Sequence, residues 1–251
     1  MSTRDHGNRL LGGMSPALQT VLAEAGETVD LPLGKVLVEP GQSLDCCYFV
    51  DSGLISVIAA GARGKVEVGL IGIEGCAGVS ALLGADRAPH EWLVQTAGRA
   101  LRLPVAPFLR LFQADPALKA RMLRYAHVLF VQASETSLSF ALGSLSQRLA
   151  RWLLMANDRL GGDEIHMTHE FLSIMLAVRR AGVTVALHEL EGKHLIRSRR
   201  GVVTLRDREG LARESGGLYG VAEAEYERVL GAGAAWSDGE MLPPNALHAG
   251  S

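Results

Sequence analysis

The fold is decided by residues 167–205, which read MTHEFLSIMLAVRRAGVTVALHELEGKHLIRSRRGVVTL. The first part predicts a helix over 168–176, because Thr168 can cap it and apolar residues then recur at helical spacing. A second helix is predicted to begin near Ala181 and to carry its apolar residues on one face. β-branched and polar residues then alternate around 199–201, which predicts a two-stranded hairpin. Helix, tight turn, helix and basic hairpin is the order of elements in a winged helix-turn-helix.

The charges of this stretch predict what it contacts. Arg179 and Arg180 fall where the second helix begins, and Thr184 and His188 follow on its polar side. A helix-turn-helix inserts this end of its second helix into the major groove of DNA, where Arg can form a forked contact with guanine and Thr can reach base edges. The alternative, a helical subdomain with a solvated basic face, is less favoured because the charges and the turn coincide. The basic residues of the hairpin, where phosphates would be held, are Lys193, Arg197, Arg199 and Arg200.

Composition restricts the class of protein. The chain has 251 residues, of which 48% are hydrophobic and 21% charged, with a formal net charge of −2. These values are typical of a soluble protein with one large or two modest domains. The sequence contains no apolar run near the roughly 20 residues that a membrane helix needs, and residues 1–13 do not resemble a signal peptide. The cysteines, Cys46, Cys47 and Cys76, form neither a zinc spacing nor a disulfide framework. We therefore expect a cytoplasmic protein with no metal, no cofactor and no membrane partner.

The N-terminal part has the texture of a β domain. Residues 1–26 are predicted to be an arm with a short helix from Pro16 to Ala25. Residues 27–106 consist of short apolar or alternating runs separated by Gly, Pro and Asp turns, with no long helix between them. This pattern predicts an antiparallel β-barrel or jelly roll.

Residues 107–160 are predicted to be helical. Asp115-Pro116 opens a long segment whose apolar residues recur every three to five positions. Many small residues along it would allow two helices to approach closely, so we predict a dimerisation helix. The alternative is a helix packed wholly against its own barrel. The predicted stripe consists of Leu118, Met122, Tyr125, Leu129, Ala133, Thr136, Phe140 and Leu145.

The C-terminal part is predicted to hold the winged helix-turn-helix and a tail. A linker helix over 146–158 leads into a DNA-binding domain over 161–230, which ends in a small helix from Val221 to Leu230. The last segment, 231–251, is rich in Gly, Ala and Pro and is predicted to be disordered.

Three stretches carry a resemblance to a known family. They are EPGQSLDCCYFVDSGLISVI (39–58), QRLARWLLMAND (147–158) and MTHEFLSIMLAVRRAGVTVALHELEGKHLI (167–196). They resemble the CRP/FNR family of bacterial transcription regulators over about residues 27–230. The resemblance implies an α+β fold with an N-terminal cyclic-nucleotide-binding-type β-barrel or jelly roll, a long dimerisation helix and a C-terminal winged helix-turn-helix. It also implies a homodimer that reads double-stranded DNA at a near-palindromic site, with RNA polymerase as a further candidate partner.

The family's base-contacting positions would fall on Arg179, Arg180, Gly182, Val183 and Thr184. Together with the cap region and the hairpin, the predicted DNA-binding residues are Thr168, His169, Arg179, Arg180, Gly182, Thr184, His188, Lys193, Arg199 and Arg200.

The chain departs from the family pattern in the segment that would hold a cyclic nucleotide. Members that bind one carry a Gly-Glu pair and then an Arg-Ser or Arg-Thr pair, which hold the ribose hydroxyl and the cyclic phosphate. Here Glu74 is not preceded by a matching Gly, and Pro89-His90 occupies the place of the Arg-Ser pair. We therefore expect no control by cyclic AMP. Glu74, Arg87 and His90 are the candidate pocket residues for an unknown small effector.

Two other functions remain as alternatives. One is a cyclic-nucleotide-responsive regulator with a rearranged pocket, and the other is a barrel protein that acts through protein partners. An enzyme is not expected, because residues 27–105 hold a single histidine, His90, and the sequence has no nucleophile elbow and no phosphate-binding glycine loop. An iron–sulfur cluster is not expected either, because it would need four thiolates.

Overall fold

The computed structural model describes residues 7–62 and 64–231 of the chain. Two short helices come first, where a single helix was predicted, and the second one matches the predicted bounds. The strands of the β domain follow. The N-terminal elements are α1 (Arg9–Gly12), α2 (Pro16–Ala25), β1 (Glu27–Leu31), β2 (Val36–Val38), β3 (Cys46–Gly61), β4 (Gly64–Ile71), β5 (Cys76–Ala77), a 3-10 helix (Val79–Leu83) and β6 (Glu91–Pro104).

The β domain, which comprises β1 to β6, is one antiparallel sheet. Its strand order is β1-β6-β3-β4, with β2 paired to β6 and β5 paired to β3. The pairing of β3 with β6 shifts register between Val50 and Ile55. Gly53 lies in this irregular segment with φ of 87°, and a Cβ there would be 2.5 Å from the carbonyl oxygen of Thr96. Only glycine therefore fits at this position. The antiparallel pairing of the strands confirms the predicted antiparallel β fold.

Three helices connect the β domain to the C-terminal part: α3 (Val105–Ala114), α4 (Pro116–Leu142) and α5 (Leu145–Leu160). Asp115 caps α4 by accepting from the Leu118 N–H at 2.8 Å. The long helical segment breaks after Leu142, where Ser144 forms a capping box that begins α5. Ser144 therefore marks the point where α4 ends and α5 begins.

The C-terminal domain, defined here as residues 164–230, combines a small sheet with four helices. Its strands are ordered β7-β9-β8, so the predicted hairpin is confirmed but gains a third strand. The helix-turn-helix pair begins and ends within one residue of the predicted bounds. The elements are β7 (Glu164–His166), α6 (His169–Met175), α7 (Arg180–Gly192), β8 (Ile196–Arg199), β9 (Val202–Leu205), α8 (Arg208–Glu214) and α9 (Val221–Leu230). The predicted disordered tail falls, from residue 232 on, outside the described residues.

The C-terminal domain packs against the β domain through α5. Leu54 and Leu70 of the sheet share one apolar cluster with Leu153 of α5 and Met175 of α6. A buried ion pair between Arg159 and Glu74, with 2.7 Å between Nε and Oε1, joins α5 to the loop after β4. Sheet, linker helix and helix-turn-helix are therefore in direct contact. Within the described ranges no single helix is long and apolar enough to span a bilayer; the bent pair α6 and α7 passes that test only when taken together.

A second polar contact between sheet and α5 has a consequence for stability. Glu67 of β4 is buried, and its carboxylate accepts from the Trp152 indole N–H at 2.8 Å. Burial raises the pKa of Glu67 from 4.5 to about 7, against the opposing effect of the hydrogen bond from Trp152 and of the charges of Arg151 and Arg159. The folded state therefore binds this proton more tightly than the unfolded state does.

The contribution of Glu67 to the free energy of unfolding is expected to be largest below pH 4.5 and to be lost as the pH rises through about 7. Replacing Glu67 with Gln, which keeps the acceptor for Trp152, should raise the free energy of unfolding at pH 8 by about 1–2 kcal/mol and flatten its dependence on pH. Urea denaturation between pH 5 and pH 8 measures this. Glu67→Leu is the matched control, because it leaves the indole N–H without a partner and should not give the same gain. Equal pH dependence in the parent and in Glu67→Gln would contradict the assignment.

Candidate nucleic-acid interface

Helices α6 and α7 meet at 95°. Thr168 caps α6 by accepting from the Phe171 N–H at 3.2 Å. The faces that the two helices turn toward each other and toward α5 are apolar and buried, so the angle is fixed by packing. The residues that form this buried face are Leu172, Met175, Leu176, Val183, Ala186, Leu187 and Leu190.

The turn between the two helices contains a strained residue. Ala177 has φ of +52°, in the left-handed region, where a residue with a Cβ pays a steric cost. Because glycine has no such cost, Ala177→Gly is expected to raise the free energy of unfolding by about 0.5–1 kcal/mol. Thermal denaturation measures the difference. Ala181→Gly, at an exposed position within α7 where φ is helical, is the matched control and should destabilise. Equal losses at both positions would contradict the assignment of strain to Ala177.

The outward face of α7 carries the residues that can meet a ligand. Arg179, Arg180 and His188 are exposed, and Thr184 is half-buried with its hydroxyl donating to the Arg180 carbonyl at 3.3 Å. Val185 is 56% exposed on the same face. Sequence reasoning missed this valine, although it lies one turn after Ala181 and next to Thr184. In the major groove of DNA, an exposed apolar side chain such as Val185 could contact the methyl group of a thymine.

Val183 and Gly182, two of the predicted base-contacting positions, are less exposed than Arg179 and Arg180. Val183 is fully buried and faces the protein interior, so its side chain cannot reach a base. Gly182 is half-buried, and a Cβ there would be 3.2 Å from Leu145. The prediction for Val183 was wrong because the helix phase turns Val185, and not Val183, outward.

Arg180 has an ion-pair partner in the free protein. Its guanidinium donates to Glu170 of α6 at 2.7 Å, and both side chains are about two-thirds exposed. An ion pair this exposed contributes little to stability, so it does not prevent Arg180 from exchanging partners. Arg179 forms the N-cap of α7 and is exposed.

The hairpin β8–β9 places a second set of cations beside α7. Arg199 and Arg200 are exposed at its tip, where Gly201 adopts φ of 79°. The Gly201 carbonyl accepts from the Met167 N–H at 2.9 Å, which ties the tip to the start of α6. Lys193 differs from these arginines, because its ammonium donates to both carboxylate oxygens of Glu214 at 2.6 and 2.8 Å.

The three candidate effector residues have different surroundings. Glu74 is engaged by Arg159 at the junction with α5. Arg87 is exposed, and its guanidinium donates to the Gly41 carbonyl at 2.9 Å. His90 is half-buried just before β6. The carboxylate that would hold a ribose hydroxyl is therefore committed to a contact between domains.

The fold and the exposed cations define the class of protein. It has two domains joined by a long helix: an N-terminal β domain and a C-terminal winged helix-turn-helix of the DNA-binding type.

Comparison with known families gives the same division. The model of the family described as "Cyclic nucleotide-binding domain" matches residues 28–115, and that described as "Crp-like helix-turn-helix domain" matches residues 147–214. No curated protein matches the chain.

Solved structures show the same arrangement. A CRP/FNR-family transcriptional regulator from Thermus thermophilus is 26% identical, with a TM-score of 0.61 over 76% of this chain and 98% of that one. FixK2 from Bradyrhizobium japonicum is 13% identical, with a TM-score of 0.66 over 75% and 96%. The c-di-GMP responsive global regulator CLP from Xanthomonas campestris is 17% identical, with a TM-score of 0.62 over 75% and 97%. The chain belongs to the CRP/FNR family of transcription regulators, which confirms the resemblance found in its sequence.

Proposed function

We propose that the protein is a homodimeric regulator that binds a specific, near-palindromic DNA site and is not controlled by cyclic AMP. The observation that carries the proposal is the division of α7 into two faces. One face is buried and consists of Val183, Ala186, Leu187 and Leu190, whereas Arg180, Val185 and His188 are exposed on the other. In this reading it acts in the cytoplasm by binding DNA, and not as an enzyme.

Base reading is assigned to the exposed face of α7. Arg180 would exchange Glu170 for a guanine edge, and Arg179 lies beside it. Val185 would contact a thymine methyl, and Thr184 and His188 complete the face. Thr168 and His169, which lie exposed at the start of α6, are assigned to phosphate contacts.

The dimer is assigned to α4. Its inward side buries Leu118, Met122 and Tyr125, so the first half of the predicted stripe packs against the chain's own domains. Another side carries an exposed apolar stripe, consisting of Leu123, Phe130, Leu138 and Leu142, which are 42%, 71%, 40% and 75% exposed. Exposed small residues such as Ser134, Ser137 and Ala141 lie between them. A second copy of α4, packed as in a coiled coil, would bury this stripe.

The proposal against cyclic AMP is supported by the engagement of Glu74. Its carboxylate is paired with Arg159, and Pro89-His90 stands where an arginine and a hydroxyl would hold the phosphate. Calorimetry with cyclic AMP and cyclic GMP is expected to show no heat of binding. Measurable heat with either nucleotide would favour the regulator with a rearranged pocket.

The hairpin is assigned to phosphate contacts, and this predicts a change in salt dependence. Arg199→Ala and Arg200→Ala should each weaken binding evenly across sequences and lower the slope of log K against log salt by about 1. Fluorescence anisotropy at several salt concentrations measures the slope. Arg110→Ala, at an exposed position on α3, is the matched control. Unchanged slopes in both hairpin variants would remove the hairpin from the DNA contacts.

A mobility shift separates DNA binding from the other alternative. A barrel protein acting only through protein partners would leave promoter fragments unshifted, whereas the proposed regulator shifts them. RNA polymerase is a further proposed partner, as for a regulator that activates transcription.

A further inference from the structure

A cleft of about 350 Å³ lies between the β domain and the C-terminal domain. Leu33, Gln95 and Ala97 contribute one wall, and Met167, Thr168 and Phe171 contribute the other. Its volume falls within the range of small-molecule sites, which commonly form where two domains meet. It is separate from the Glu74–Arg159 contact described above.

The walls of the cleft have a distinct chemistry. They are mostly apolar, and Leu33 is left 62% exposed at the rim. Gln95 is only 2% exposed, and its side-chain oxygen accepts from the Ser56 hydroxyl at 2.7 Å. The amide N–H groups are therefore what Gln95 can offer to a bound molecule. A molecule that fits has an apolar body and an oxygen acceptor.

Buried side chains lead from Gln95 to α6. Ser56 is fully buried, and its hydroxyl lies 4.0 Å from the Met175 sulfur of α6. A contact made at Gln95 is thus linked through Ser56 to α6, the first helix of the helix-turn-helix.

The far wall of the cleft belongs to the start of α6. Thr168 caps this helix, and Phe171 lies in its first turn. A molecule in the cleft would touch the sheet and α6 at once, and would stabilise the present arrangement of the two domains by its differential affinity for it. We propose that this cleft is an effector site for a small, mostly apolar molecule that carries an anionic or carbonyl oxygen. Its occupancy sets the position of α6 and α7. The effect of this molecule on DNA affinity rests on the proposed function, whereas its binding in the cleft does not.

The experiment uses the full chain without DNA and anilinonaphthalene sulfonate as the probe, because this molecule is apolar and carries an oxygen acceptor. Fluorescence titration is expected to show saturable binding at one site per chain. Leu33→Ser should weaken it about tenfold by removing apolar contact area, and Ala97→Trp should abolish it by filling the cleft. Leu83→Ser is the matched control, because Leu83 is 60% exposed elsewhere in the β domain.

Absence of saturable binding, or equal binding by Leu33→Ser, Ala97→Trp and the parent, would overturn the proposal. Loss of binding in Phe130→Ser with no change in Leu33→Ser would also overturn it, because the probe would then occupy α4. A second titration follows the affinity for a DNA site selected from a random pool, with and without the probe. If the probe binds the cleft and no DNA is bound at all, the proposed function fails while the site stands. If DNA is bound equally with and without the probe, the regulatory part of this proposal fails.

Discussion

Phe130→Glu is expected to convert the protein from dimer to monomer and to weaken binding to its selected DNA site by about 100-fold or more. Phe130 is 71% exposed in the described chain and lies in the middle of the apolar stripe of α4. Across a two-fold axis the substitution sets two carboxylates against each other and desolvates both. A monomer contacts one half-site and loses the contribution of the other.

Sedimentation and fluorescence anisotropy on the same preparations measure the two effects. Leu33→Glu is the matched control, since it adds the same charge at a comparably exposed apolar position in the turn between β1 and β2, and it should remain dimeric. A parent protein that is monomeric at micromolar concentration, or a Phe130→Glu variant that stays dimeric, would contradict the assignment of α4.

Arg180→Ala is expected to relax sequence choice at one base pair in each half-site, at a cost of about 1–3 kcal/mol for the preferred base. The reason is the loss of a forked contact that only an arginine at this exposed position can make. The measurement is binding to a panel of sites that differ at single positions. If the variant discriminates among these sites as well as the parent does, Arg180 does not read a base.

Glu170→Ala provides the control for this substitution. It breaks the 2.7 Å ion pair with Arg180 but leaves the guanidinium in place. The variant should keep the sequence preference of the parent and bind somewhat more tightly, because a carboxylate near the phosphates is removed. The same loss of preference in Glu170→Ala would show that Arg180 acts through the ion pair.

The local elements of the C-terminal domain were predictable because their signals are local. Thr168 marks the start of α6, and the alternation around 199–201 marks the hairpin, so both bounds were close to those observed. The strand β7 was not predicted, because three residues are too few to establish a period. The exposed face of α7 was also not fully predictable from sequence. Val183 is buried and Val185, two residues later, is exposed, so an error of two residues in the position of the exposed face selects the wrong valine.

Contacts between distant segments were not predictable. Glu74 and Arg159 are 85 residues apart, and their pairing depends on how α5 packs on the sheet. The long helix α4 is apolar on more than one side, so its periodicity could not distinguish the face that meets the β domain from the face left exposed. The prediction of a dimerisation helix therefore stays a prediction, and Phe130 is the residue that tests it.

The most direct test of the whole account is selection of bound sequences from a random DNA pool with the full chain. We predict a near-palindromic motif whose two half-sites have centres about 10 base pairs apart, with a guanine preference in each half-site that disappears in Arg180→Ala. Failure to enrich any sequence, or enrichment of a single motif without two-fold symmetry, would contradict the claim that two copies of α7 read successive major grooves.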